Sequence, residues 1–196
     1  MTAPTRAYRW RTTIPAPEGV AETALEHVEL KIAETGIGAE GVVIGGVGSA
    51  AHGLRWRITV DPDWTAVRSL HLTRLGGPTV ALRHDGYGEW SDGEGRRRGE
   101  FAGLSDCLVE GSPFGLTALL KRLGAKANKT QTVEVVAVTV PGFELSRAAV
   151  TLQPIEAGRR LRLTRDGHTE EIELDADGVV IDWGGHTRRL ALEPAA

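Results

Sequence analysis

The stretch Ser112-Pro113-Phe114-Gly115-Leu116-Thr117-Ala118-Leu119-Leu120-Lys121-Arg122-Leu123-Gly124 constrains this chain most. It is the one segment that reads cleanly as a helix among segments that read as strands and turns. Leu116, Leu119, Leu120 and Leu123 recur at i, i+3, i+4 and i+7 and form one apolar stripe. Ser112 is placed to cap the first turn, and Pro113 to take the first helical position, where its missing N–H costs nothing. Lys121 and Arg122 suit the negative end of the helix dipole, and Gly124 can close the helix in the left-handed conformation. The spacing predicts a helix over about 113–123, a rod of about 16 Å. A lone helix that short is marginal in water, so the rest of the chain must pack around it. Phe114 and Ala118 lie opposite the leucines, and Phe114 is expected to meet a second wall there.

The rest of the chain has a different period. Tyr8, Trp10 and Thr12 alternate with Arg9, Arg11 and Thr13, a strand that Pro15 and Pro17 end. Residues Glu22 to Ile32 fit both periods, and a strand is favoured beyond Leu25. Leu54, Trp56, Ile58 and Val60 alternate with Arg55, Arg57 and Thr59. Further strands are expected at 39–47, 65–75, 79–84, 103–110, 130–140, 145–155, 159–165, 168–174, 179–183 and 187–192. Asp85-Gly86, Asp92-Gly93 and Asp166-Gly167 supply turn signals between them. No low-complexity linker or charge block interrupts the series, so residues 1–196 read as a single domain, mainly β, with one meandering antiparallel sheet. Open twisted sheets rarely exceed about ten strands, so a sheet this long must curl or close, and the leucine stripe is the natural thing to curl around.

Composition narrows the function. A net charge of -3 weighs against a general nucleic-acid binder. Cys107 is the only cysteine, which excludes an intrachain disulfide and any Cys-rich metal site. No run approaches the length of a membrane span, and Met1 to Arg11 lacks a signal-peptide core, so a cytoplasmic protein that is not integral to the membrane is expected. Gly46, Gly48 and Ala51 fit a G-x-G-x-x-A dinucleotide fingerprint, but Gly53 and the strand from Leu54 leave no room for the helix that would present its N-terminus to a pyrophosphate. The acidic run from Asp85 to Gly95 lacks EF-hand spacing and reads as tandem tight turns. Ser49 is not in a nucleophile elbow, and the histidines show no metal-binding pairing, so no cofactor, metal or catalytic residue is assigned. Two arginine pairs, Arg9 with Arg11 and Arg55 with Arg57, each project to one face and read as a solvated face opposite the core. Five tryptophans are many for this length; core packing accounts for most, though an indole also suits a pocket for sugars or lipid tails.

The order of several segments resembles the family described as Putative glycolipid-binding. They are Gly41-Val42-Val43-Ile44-Gly45, Arg55 to Asp61 with Trp64, Val67-Arg68-Ser69-Leu70, and Arg83-x-Asp85-Gly86-x-Gly88-x-Trp90-x-Asp92. Ser112-Pro113-Phe114 with Lys121-Arg122-Leu123, and Asp175-Ala176-Asp177-Gly178-Val179-Val180-x-Asp182, complete the set. The resemblance implies a spiral β-roll or half-barrel: a long antiparallel sheet of about fifteen strands around a single α-helix, forming a homodimer and similar in concept to bacterial lipoprotein carriers. It carries no catalytic residues. The expected role is a non-enzymatic carrier or sensor holding a glycolipid or other amphipathic small molecule between curved sheet and helix. Trp56, Arg57, His71, Arg83, Trp90, Phe114 and Trp183 are the candidate contacts, and Gly115 would let an acyl chain approach the first helical turn. Two alternatives stand beside it: an enzyme using His71 or His84 beside Asp85, and a β-rich interaction scaffold.

Overall fold

A computed structural model describes residues 5–14, 22–46, 51–124 and 128–191. Pro15, Pro17, Gly48, Ser49 and Leu192 lie outside them. Alternation of apolar and polar residues produces a first run of strands: β1 (Thr5–Ile14), β2 (Glu22–Ala33), β3 (Gly36–Gly45), β4 (His52–Val60), β5 (Val67–Arg74), β6 (Thr79–His84) and β7 (Trp90–Asp92). A single turn of 3-10 helix at Gly99–Phe101 leads to β8 (Cys107–Val109) and then to α1 (Phe114–Leu123). The second run is β9 (Gln131–Val138), β10 (Leu145–Glu156), β11 (Arg160–Arg165), β12 (His168–Leu174), β13 (Val180–Trp183) and β14 (Thr187–Arg189).

All fourteen strands belong to one sheet, in the order β7-β6-β5-β4-β3-β2-β1-β14-β13-β12-β11-β10-β9-β8. Two meanders are therefore joined where the first strand meets the last, through Trp10 opposite Arg189 and Thr12 opposite Thr187. The sheet is not closed, since β7 and β8 stand at its two ends. Among the described residues every strand pairing is antiparallel except β8 with β9. That parallel pair explains the helix topologically. Parallel neighbours need a long crossover, and α1 supplies it.

The helix divides the core. Leu116, Leu119, Leu120 and Leu123 pack against Val135, Val150, Leu161, Leu163 and Ile172 of the second meander. Phe114 and Ala118 face the first, among Trp56, Leu70, Leu82 and Trp90. Full burial of one leucine stabilises by about 1.5–3 kcal/mol, so the stripe anchors α1 far more strongly than helix propensity could. Near its C-terminal end, Arg122 Nη2 lies 2.6 Å from the buried Asp106 carboxylate, tying the helix to the chain that enters β8. Burial outweighs the guanidinium there and holds the Asp106 carboxyl above its usual range.

The helix ends differ from expectation. Ser112 makes no side-chain cap, and Pro113 takes the N-cap position with helical φ and ψ of -66° and -18°. Gly124 closes the helix at a positive φ of 51°, but its ψ of -127° is not the left-handed helical value. At the N-terminal end residues 112–120 are all buried, so packing rather than capping sets the start of the helix, while at the exposed C-terminal end the Gly124 N–H bonds to the Leu120 carbonyl.

Candidate functional site

The N-terminal end of α1 meets the inner face of the first meander at an unusual cluster. In β2 the inner-facing positions are Glu26, Val28 and Leu30, so an acid stands where the alternation calls for an apolar residue. The Trp56 indole stacks on Phe114 with ring centroids 5.6 Å apart, and its Nε1–H donates to Glu26 Oε1 at 2.8 Å. Gly41 makes this possible, because a Cβ at that position would lie only 2.2 Å from the nearest indole carbon. Glu26 is only 5% exposed, and burial pushes its carboxyl up to about 7. The Trp56 N–H and the neighbouring Ser112 hydroxyl both favour its charged form, but less strongly. Glu26 Oε2 and Ser112 Oγ are buried without a hydrogen-bond partner of good geometry. The capping serine of the sequence reading is thus a member of this buried polar cluster.

On the other side of Ser112 the molecule opens. A groove of about 510 Å³ runs between the 108–113 segment, the β11–β12 hairpin and the ends of β1, β13 and β14. Leu108, Val109, Pro113 and Leu163 supply apolar walls beside the half-buried Trp183 indole. Trp183 Nε1–H donates to Glu170 Oε2 at 2.6 Å, and Glu170 Oε1 lies 3.6 Å from His186 Nδ1, which fixes the indole against the rim. Within the groove Thr12 and Thr187 share a 2.8 Å hydroxyl–hydroxyl bond. The ionisable rim is acidic on balance, with Glu110, Asp166 and Glu170 against Arg165. The volume falls in the range of about 300–1,000 Å³ typical of small-molecule sites, and the groove is more enclosed than the shallower recesses of about 600 Å³ beside Tyr8 and about 660 Å³ beside Ile44.

The expected contacts do not form one site. Trp56 and Phe114 come together, but as packed core. Trp90 is also fully buried in that core, its Nε1–H donating to the Leu104 carbonyl at 2.9 Å. Arg57, His71 and Arg83 are exposed, because the odd-numbered residues 53–59 of β4, 69–73 of β5 and 79–83 of β6 face outward. Arg57 sits opposite His71 in the register and 3.5 Å from Glu40. Trp183 alone lines the groove. An acyl chain does not get its access through Gly115 either. A Cβ there would lie 2.8 Å from the Cys107 carbonyl, so the missing side chain lets β8 approach the helix. The seam between helix and sheet is filled by side chains on both faces of α1. What the sequence did signal was Glu26, in phase with Val28 and Leu30 on an alternating strand.

Of the two histidines considered beside Asp85, His84 adjoins it, and His84 and Asp85 line a recess of about 310 Å³ with Arg83 and Arg97. His71 is exposed, while His84 is buried on the inner face with its ring 4.7 Å from Trp90. Its Nε2 accepts from the Gly88 N–H at 3.1 Å, and burial holds its pKa down. Asp85 Oδ1 accepts from the Tyr87 and Glu89 N–H groups, and Asp92 Oδ1 from those of Glu94 and Arg96, which makes the acidic run two side-chain-braced turns. On either side of the glycine-rich segment β3 and β4 pair antiparallel with Gly45 opposite His52, not parallel as a dinucleotide-binding crossover requires. Cys107 is buried, and burial pushes its thiol well up.

The sequence model of the family described as "Putative glycolipid-binding" matches residues 18–189. No curated protein matches the chain. Among solved structures, a DUF1089 family protein from Pseudomonas aeruginosa is similar with a TM-score of 0.72 at 23% identity, over 84% of this chain and 92% of its own. A β-barrel-like protein of domain of unknown function DUF1849 from Brucella abortus reaches 0.55 at 10% identity, over 96% and 95%. At these identities the likeness is one of fold.

Proposed function

Because this chain belongs to the family described as Putative glycolipid-binding, we propose that it holds an amphipathic glycolipid in the groove beside the helix N-terminus, without transforming it chemically. The observation that carries this reading is a half-buried indole, Trp183, standing over apolar walls inside a polar rim. An indole face accepts the C–H face of a sugar ring, and its fixed N–H keeps that face in place. The apolar start of the lipid lies on Leu108, Val109, Pro113 and Leu163. Sugar hydroxyls meet Glu110, His168, Glu170 and His186, which offer acceptors and exchangeable donors. Three carboxylates against one guanidinium repel a phosphate, so the headgroup is uncharged.

The test is native mass spectrometry of the gently purified full chain after incubation with a lipid extract. Retention of a neutral glycolipid by the wild type and its loss from Trp183→Ala is the expected outcome. Retention of anionic phospholipids alone, or equal retention by both proteins, overturns the reading.

A further inference from the structure

The outer face of the sheet carries an apolar patch that the groove does not use. Leu25, Val42, Ile44 and Leu75 are 41%, 50%, 55% and 77% exposed. The register makes them neighbours: Leu25 pairs with Ile44, Ile44 with Gly53, and the Gly53 carbonyl accepts from the Leu75 N–H at 2.9 Å. Val42 lies one outward position along β3, between His27 and Arg55. A contiguous apolar patch on a folded surface marks an interaction site.

The patch has a mainly basic border, with Glu29 and Glu40 at one end of it. Arg11 pairs with Leu25, Arg9 with His27, and Arg55 with Val42, so three guanidinium groups adjoin the four apolar side chains. All three arginines are exposed. Arg55 also reaches Glu40 in the next row, but an exposed ion pair of this kind is weak. Apolar residues bordered mainly by arginines fit the surface of an anionic lipid bilayer, where the side chains enter the headgroup–acyl boundary and the guanidinium groups meet phosphates.

Position supports that partner. Thr12, which lines the groove, directly follows Arg11, which pairs with Leu25 of the patch. Groove and patch thus share one end of the strands, on opposite faces of β1. We infer that the Leu25–Val42–Ile44–Leu75 patch, with Arg9, Arg11 and Arg55, docks the protein on an anionic bilayer with the groove end of the sheet at the membrane. The surface requires no particular groove ligand.

Co-sedimentation of the full chain with vesicles tests this. Wild type is expected to pellet with phosphatidylcholine vesicles containing phosphatidylglycerol far more than with phosphatidylcholine alone, and to be released by salt. Arg9→Ala and Arg11→Ala should each weaken binding about fivefold. A double Ile44→Asp, Leu75→Asp variant should lose tenfold or more with an unchanged melting temperature, since both positions are exposed. Its groove should still retain ligand in native mass spectrometry, which separates failure of the patch from failure of the groove. Absence of pelleting, or pelleting insensitive to these variants, overturns the inference. So does a lipid-free dimer in sedimentation velocity that the double variant dissolves, because the patch would then be a contact between two copies.

Discussion

Replacing Glu26 with glutamine removes the ionisable group at the centre of the buried cluster while preserving its shape and its acceptor for the Trp56 N–H. Folding holds the wild-type carboxyl near 7, against an ordinary value of 4.5. The folded state therefore binds the proton more tightly than the unfolded chain. The stabilisation this gives is complete below about 4.5 and is lost as pH rises through about 7. The difference corresponds to about 3 kcal/mol. A glutamine cannot ionise, so Glu26→Gln should gain about that much relative to wild type on going from acid to mildly alkaline solution. For a chain of this size that is a shift of about 7–13 °C in relative melting temperature. Thermal unfolding of both proteins across this range measures it, with the difference cancelling the other carboxylates. Asp85, Asp92 and Asp175, for example, titrate below their usual range and are common to both. Parallel stability curves would refute the reasoning, because the Glu26 carboxyl would then titrate alike in the folded and unfolded chain.

Leu119→Ala, at a fully buried position of the stripe, should cost about 2–5 kcal/mol in urea denaturation, and a near-neutral result would mean that the stripe faces open space. Gly41→Ala should cost about 1–3 kcal/mol or more and change the near-ultraviolet circular dichroism, since the new methyl group displaces Trp56. Arg122→Ala leaves the Asp106 carboxylate buried without its partner and should cost about 3–5 kcal/mol at neutral pH. That cost should shrink on acidification, because a protonated Asp106 needs no counter-charge; a cost independent of pH would contradict the assignment.

The strands were legible because each half-buried strand alternates, as Leu54 to Val60 does, and the helix because its leucines keep a period that strands cannot. The order of strands within each meander follows from short connections. The junction of β1 with β14 does not, because a pairing between the two ends of a chain leaves no local pattern in either segment. The parallel pairing of β8 with β9 was hidden in the same way, although the helix between them is what such a pairing requires. Site residues were harder. Trp56 and Trp90 have the chemistry of a binding site, but both lie on the inner, core-facing side of their strands. Arg57, His71 and Arg83 were chosen for charge and aromaticity, yet their parity along the strands places them outside. Trp183 was chosen on the same chemistry, and it ends a short strand among turn residues, where the indole is half buried. The groove walls come from 108–113, 163–170 and 183–187, segments that only the curl of the sheet brings together.

Binding of a neutral alkyl glycoside below its micellar concentration, followed by isothermal titration calorimetry, tests the groove most directly. Wild type should give saturable heat at one site per chain, and Trp183→Ala should lose it while still unfolding in one cooperative transition. Equal titrations for the two proteins, or heat only with the anionic amphiphile of the same chain length, would contradict the assignment of the Trp183 groove to a glycolipid.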